Sequence, residues 1–226
     1  MDISTNLRTV RERIDNAARR SGRNASDVSL IAVSKTVDSA AIKQMVNCGH
    51  STFGENRPQC IRDKSRELAG EKISWHLIGT LQTNKIRYVY PLVELIHSVD
   101  RIELLKEFEN WAVKTKRRCP CLLEVHISDE ESKHGFDISE VTEVIASFNN
   151  CENLDIRGLM GMAPFTDDEK AIRTSFRKLR DLFDKSMKLC GKSYKAEILS
   201  MGMSDDFEIA IEEGSTMVRI GRALFT

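Results

Sequence analysis

Eight short apolar runs recur along this 226-residue chain, each but the last followed by a longer amphipathic stretch. They are "VSLIAVS", "STFGEN", "SWHLIG", "ELIHSV", "PCLLEVHI", "LDIRGLMGM", "AEILSMG" and "TMVRIG". The runs do not alternate strictly between apolar and polar residues, as expected of strands buried on both faces. Strands that alternate with helices pair in parallel through crossover connections. Eight such units predict an α/β fold, a closed (β/α)8 barrel. An open doubly wound sheet is the alternative, and the count of eight together with the lack of an early GxGxxG favours the barrel. One extra helix precedes the first strand, because Leu7, Val10, Ile14, Ala17 and Ala18 fall at helical spacing before Gly22. No linker or low-complexity tract interrupts the pattern, so residues 1–226 are expected to form a single domain.

Charge narrows the function. The 34 basic and 34 acidic residues cancel, which leaves no surplus to neutralise a phosphate backbone and weighs against a nucleic-acid partner. The cluster Lys114, Lys116, Arg117 and Arg118 reads as a solvated helix end. No run approaches the roughly 18 apolar residues of a membrane span, and the amino terminus lacks the apolar core of a signal peptide. A cytoplasmic location is expected, with the six cysteines as reduced thiols. Neither the cysteines nor the five histidines have metal-ligand spacing.

In a barrel of this kind the working face lies at the carboxyl ends of the strands. There the sequence concentrates Gly, Asn, Ser and charged residues. "SMGMSDD" after the seventh strand places Ser204 or Asp205 as a helix N-cap, and "RIG" after the eighth supplies a glycine that permits close backbone approach. Phosphate binding between these two ends and a plain capped helix beside a tight turn both account for the residues. Lys35, at the end of "LIAVSKT", has two readings as well. Desolvated at the mouth, its amine is set up to attack a carbonyl, and an aldehyde carrying a phosphate, pyridoxal 5′-phosphate (PLP), has the matching chemistry. Alternatively the side chain reaches water or pairs with Glu55 or Asp100. Met160, Met162, Met201 and Met203 read as packing at the mouth. Lys133 and His134, in the irregular segment after the fifth strand, form either a lid or a solvated loop.

The strings "AVSKT", "FGEN", "WHLIGTLQTNK", "HSVDR", "ISDEESKHGF", "RGLMGM", "LSMGMSDD" and "AIEEGSTMVRIG" resemble, in order and over nearly the whole chain, the pyridoxal phosphate homeostasis protein family. The resemblance implies a TIM barrel of the alanine racemase N-terminal domain type and PLP as cofactor. It implies that Lys35 holds PLP as a Schiff base. Ser200, Ser204, the backbone near Gly202, and Ile220, Gly221 and Arg222 would hold the phosphate. Arg219 would face the pyridine nitrogen, Asn56 and His76 would border the ring, and Ile78 and Met201 would pack near it. Arg222 departs from the small residue usual there.

The same resemblance implies a PLP carrier or buffer in PLP homeostasis, without established catalysis and not an enzyme. A weak PLP-dependent amino-acid racemase is the alternative, and a barrel for another phosphorylated metabolite is a third class. Arginine cannot accept a proton from the ring nitrogen, which weakens the ring as an electron sink. Tyr88, Tyr90 and Tyr194 all lie away from strand carboxyl ends, so a tyrosine base for the opposite face is missing. The expected partners are PLP and PLP-requiring apoenzymes, with no nucleic acid and no membrane, and the chain is expected to be a monomer.

Overall fold

A computed structural model describes residues 2–128 and 134–226. It contains helix α1 (Ile3–Arg20), strand β1 (Ser29–Val33), α2 (Ser39–Asn47), β2 (Thr52–Glu55), α3 (Pro58–Glu67), β3 (Ser74–Leu77), α4 (Ile86–Val89) and β4 (Leu95–Val99). There follow α5 (Ile102–Thr115), β5 (Pro120–His126), β6 (Phe136–Asp137), α6 (Val141–Phe148), β7 (Asp155–Gly161), α7 (Glu169–Ser186), β8 (Tyr194–Ser200), α8 (Phe207–Glu212), β9 (Met217–Ile220) and α9 (Arg222–Phe225). All strand pairs are parallel. The order β4-β3-β2-β1-β9-β8-β7-β5 closes on itself through β4 and β5, which makes an eight-stranded barrel with helices between the strands. The two-residue β6 adds to the end of β5 beside Val125 and His126, and no apolar run announces it.

Alternation along the strands splits the apolar residues into two layers. Ile31, Leu95, Leu122, Met160 and Met217 pack inside the barrel, with Ile198 against them. Ala32, Phe53, Trp75, Leu77, Ile96, Leu123, Leu159, Leu199 and Val218 pack outward under the helices. The expected first helix is present as α1. It buries Leu7, Val10, Ile14, Ala17 and Ala18 and packs on α8 and α9, where Asn6 Nδ2 donates to the carbonyl of Leu224 at 3.2 Å. Burial of Leu7, Val10 and Ile14 contributes about 1.5–3 kcal/mol each. Asp38 caps α2 by accepting from the amide of Ala41, and Asp168 caps α7 by accepting from those of Lys170 and Ala171.

Two glycines are required by close approach. Gly158 has φ +142° where β7 shifts register against β8, and a Cβ there would sit 2.0 Å from the carbonyl oxygen of Ile198. A Cβ on Gly79 would sit 2.3 Å from the carbonyl oxygen of Asn56. These contacts clamp β7 to β8 and the loop after β3 to the loop after β2.

Three expectations change in detail. The stretch after β3 is mostly a 3-10 turn, Thr83–Lys85, followed by the four-residue α4. The helix after β8 starts at Phe207 rather than at Ser204 or Asp205. Residues 204–206 form a turn in which Asp206 accepts from the amide of Met203, so neither earlier residue caps a helix. Of the four methionines, Met160 and Met201 are buried while Met162 and Met203 are exposed. No helix is long and apolar enough to cross a membrane among the described residues.

Candidate functional site

Lys35 lies in the turn that leaves β1, two residues past Val33. The carbonyl oxygen and Cβ of Val33 stand 3.3 and 3.4 Å from where a Cβ on Gly221 would be, so the lysine turn adjoins the end of β9. The side chain of Lys35 is exposed and makes no hydrogen bond or ion pair among the described residues. Desolvation, the property expected of it, is therefore absent. Its alternative partners are absent too. Asp100 is held by Arg101 at 2.5 Å. Glu55 is fully buried, and its Oε1 accepts from Lys64 Nζ and from Ser34 Oγ, both at 2.7 Å. Lys64 Nζ also donates to the carbonyl of Ser34 at 2.8 Å, which ties down the peptide immediately before Lys35.

Across the β1–β9 seam, the turn after β8 meets the start of α9. Ser204 Oγ accepts from the amide of Gly221 at 3.3 Å and from that of Ala223 at 3.5 Å. Two backbone N–H groups thus converge on one small oxygen, next to the lysine turn. Gly202 has φ +96°, and a Cβ on it would meet Ala210 Cβ at 2.6 Å and Phe207 Cα at 2.9 Å, so glycine lets α8 pack against this turn. The side chain of Arg222 is ion-paired with Asp205 and is exposed, leaving its backbone at the cradle. Met201 and Ile220 are fully buried in the outer layer behind the cradle. Met201 is thereby a wall residue rather than a lining one.

Inside the mouth, Arg219 is 4% exposed. Its guanidinium Nη1 donates to Ser200 Oγ at 2.6 Å and to the Ser200 carbonyl at 2.9 Å, and its Nη2 donates to the carbonyl of Gly161 at 3.1 Å. Its Nε makes no hydrogen bond among the described residues. Burial lowers its pKa to about 10, while Asp206 and Glu124 oppose that shift. Burial, and then Asp100, push the carboxyl of Glu124 up to about 7, while Arg219 opposes that shift. Ser200 Oγ continues to His97 Nδ1 at 3.1 Å, and His97 Nε2 lies 3.0 Å from His76 Nδ1. The Ser200 hydroxyl therefore faces Arg219 and His97 inside the barrel, not Ser204 and Gly221.

Asn56 is half-buried in the loop after β2, and Ile78, after β3, has Cγ2 3.3 Å from the Cβ position of Gly54. His76 is buried in the interior and borders a cleft at the amino ends of β1, β2 and β3. His134 is exposed and stands 3.9 Å from Asp100, while Lys133 falls outside the described residues.

Residues 5–226 match the family model described as alanine racemase, N-terminal domain. The "Pyridoxal phosphate homeostasis protein" of Aquifex aeolicus (strain VF5) is 40% identical over 227 residues, covering 100% of this chain and 98% of the relative. The chain belongs to the pyridoxal phosphate homeostasis protein family. The family protein of Escherichia coli (strain K12) is 37% identical, covering 99% of this chain and 96% of the relative. Among solved structures, PipY of Synechococcus elongatus PCC7942 with PLP bound superposes with a TM-score of 0.85 at 30% identity, covering 100% of both chains.

Within this homeostasis-family barrel, sequence reasoning missed three residues that shape the site. His97 sits in the wholly buried run "LIHSV", two residues after the interior Leu95. Glu124 sits in "CLLEVHI", two residues after the interior Leu122. A lone polar side chain in phase with inward-facing leucines is the signal that would have found both. Lys64 gives no such signal, since it sits at an ordinary position of a polar helix.

Proposed function

We propose that this chain holds pyridoxal 5′-phosphate reversibly on Lys35 and serves to store and release it. The observation that carries this reading is an exposed amine beside a backbone cradle. Lys35 has no partner among the described residues, and the amides of Gly221 and Ala223 converge on Ser204 at the adjoining strand end. When bound, the cofactor supplies an aldehyde that condenses reversibly with an amine. The residues fit it chemically. The amides of Gly221 and Ala223 and the Ser204 hydroxyl are donors for phosphate oxygens, with Gly202, Ile220 and Arg222 contributing backbone around them. Arg219 keeps Nε–H as a donor for a ring nitrogen that remains unprotonated. Asn56 and Ile78 border the ring, with Met201 behind them, while His76 lies deeper, toward the amino-end cleft, and reaches Arg219 only through His97 and Ser200. The family name of the relatives and the PLP-bound PipY structure support the same cofactor.

The exposure of Lys35 suits a carrier, because an incoming amine reaches it without opening the fold. The tyrosines support the same reading. Tyr88 is exposed on α4, Tyr90 donates to the carbonyl of Arg117, and Tyr194 opens β8 at its amino end. None stands where a proton would be moved on the face opposite Lys35. In this reading the chain works as a cytoplasmic monomer with all six cysteines as free thiols, and its recipients are PLP-requiring apoenzymes. A slow racemase is the second reading, favoured by Glu124, whose carboxyl is pushed up to about 7 near Arg219 and so can trade a proton at neutral pH.

Borohydride reduction of the PLP-loaded protein followed by peptide mass mapping tests the binding. A pyridoxyl adduct on Lys35, lost in Lys35→Ala, is expected. Loading with the adduct on another lysine overturns it. Prolonged incubation with several amino acids tests the carrier role, which sustained Lys35-dependent turnover overturns.

A further inference from the structure

The barrel interior contains a file of hydrogen-bonded side chains drawn from four strands: Arg219 on β9, Ser200 on β8, His97 on β4 and His76 on β3. The direction of the protons along it follows from the donors and acceptors. Arginine only donates. The Ser200 hydroxyl, which accepts from Arg219 Nη1, must therefore give its own proton elsewhere, and His97 Nδ1 at 3.1 Å is the acceptor in reach. His97 then carries its proton on Nε2 and donates to His76 Nδ1 at 3.0 Å. His76 carries its proton on Nε2, toward the amino-end cleft that it borders. The reverse direction leaves the Ser200 proton without an acceptor among the described residues, a costly outcome for a buried hydroxyl. Both imidazoles are neutral in this arrangement, in keeping with the burial that depresses His97 strongly and His76 to about 4.

We propose that His97 is a positioning residue for Arg219. By accepting the Ser200 proton it orients Ser200 Oγ as the acceptor for Nη1, which holds the guanidinium so that its unbonded Nε–H is kept for the cofactor ring, and His76 fixes the tautomer of His97. This rests on the cofactor reading above for its consequence, but the proton order belongs to the protein alone.

Three variants separate positioning from packing. His97→Asn restores an acceptor close to the place of Nδ1. His97→Gln fills more of the ring's volume and puts an amide donor near the place of Nε2, but offers Ser200 no acceptor. His97→Phe fills the site with neither. Affinity for PLP, read by titrating the visible absorbance of the bound form, is expected to stay within about threefold of wild type in His97→Asn. It is expected to fall about tenfold in His97→Gln and His97→Phe, the loss of one hydrogen bond's orientation. A residue that only fills space gives the opposite ranking, because asparagine leaves the largest void, and that ranking overturns the proposal. Nitrogen-15 NMR of the histidine rings in cofactor-free wild type gives a second readout that no variant's folding can spoil. The Nε2–H tautomer is expected for both His97 and His76, and Nδ1–H on His97 overturns the proton order. If the tautomers are as expected but the wild type binds no PLP, the cofactor reading fails while the proton order stands.

Discussion

Replacing Lys64 with methionine should destabilise this protein far more than loss of an ordinary surface ion pair. The side chain of Glu55 is 0% exposed and that of Lys64 is 14% exposed, so the pair is largely withdrawn from water. Glu55 Oε1 accepts from Lys64 Nζ and from Ser34 Oγ, while Oε2 is buried with no hydrogen-bond partner among the described residues. Lys64→Met deletes the cation paired with this carboxylate and leaves the Ser34 hydroxyl as its donor among the described residues. Breaking a buried pair by removing one partner costs about 3–5 kcal/mol, against about 0–1 kcal/mol for an exposed pair. In a chain of this length each kcal/mol lowers Tm by roughly 2–4 °C, so a fall of roughly 6–20 °C is expected. Thermal and urea unfolding of the purified variant measure it. The double variant Lys64→Met with Glu55→Leu should recover most of the loss, because no unpaired charge then remains inside. A single variant within about 1 kcal/mol of wild type would show that Glu55 is solvated and the reasoning wrong. The same lysine anchors the carbonyl before Lys35, so its loss should also reduce the fraction of cofactor fixed on Lys35 by borohydride.

Two further outcomes follow from single positions. Gly158→Ala places a methyl 2.0 Å from the backbone oxygen of Ile198, which no rotamer relieves, and should cost more than about 4 kcal/mol or abolish soluble expression. A denaturation midpoint equal to wild type would refute the clamp between β7 and β8. Glu124 is held up at about 7 in the folded chain, first by burial and then by Asp100, so the native state binds its proton more tightly than the unfolded one. Its contribution is full below the unfolded carboxyl range and is lost as pH rises through about 7. Glu124→Gln, a permanent mimic of the protonated form, should remove that decline between about pH 5 and 8. Urea unfolding across this window, with the variant as sensitive to pH as the wild type, would refute the assignment.

Some of this protein could be read directly from its sequence, because the signals are local. Short apolar runs between amphipathic stretches mark strands buried on both faces, and all eight barrel strands lie where those runs lie. The α1 stripe of Leu7, Val10, Ile14, Ala17 and Ala18 needs only the helical period. The placement of Lys35 at the end of β1, and of Ser204 and Gly221 at the ends of β8 and β9, follows from the strand assignments alone. Helix starts were less legible. Ser204 and Asp205 look like caps, yet the Ser204 hydroxyl is taken by amides from beyond β9.

What the sequence left open is every choice of partner between strands. Lys35 and Lys64 are both near Glu55 in any parallel arrangement of β1, β2 and α3, and only the packed barrel gives the carboxylate to Lys64 and leaves Lys35 in water. The family resemblance implies Ser200 as a phosphate ligand, and only the closed barrel shows its hydroxyl against Arg219 and His97, residues 19 positions ahead and 103 positions back along the chain. Periodicity states which face a side chain occupies, since that depends on its own backbone. Which atom it meets depends on the stagger of eight strands around a closed circle, and that stagger exists only once the whole chain has folded.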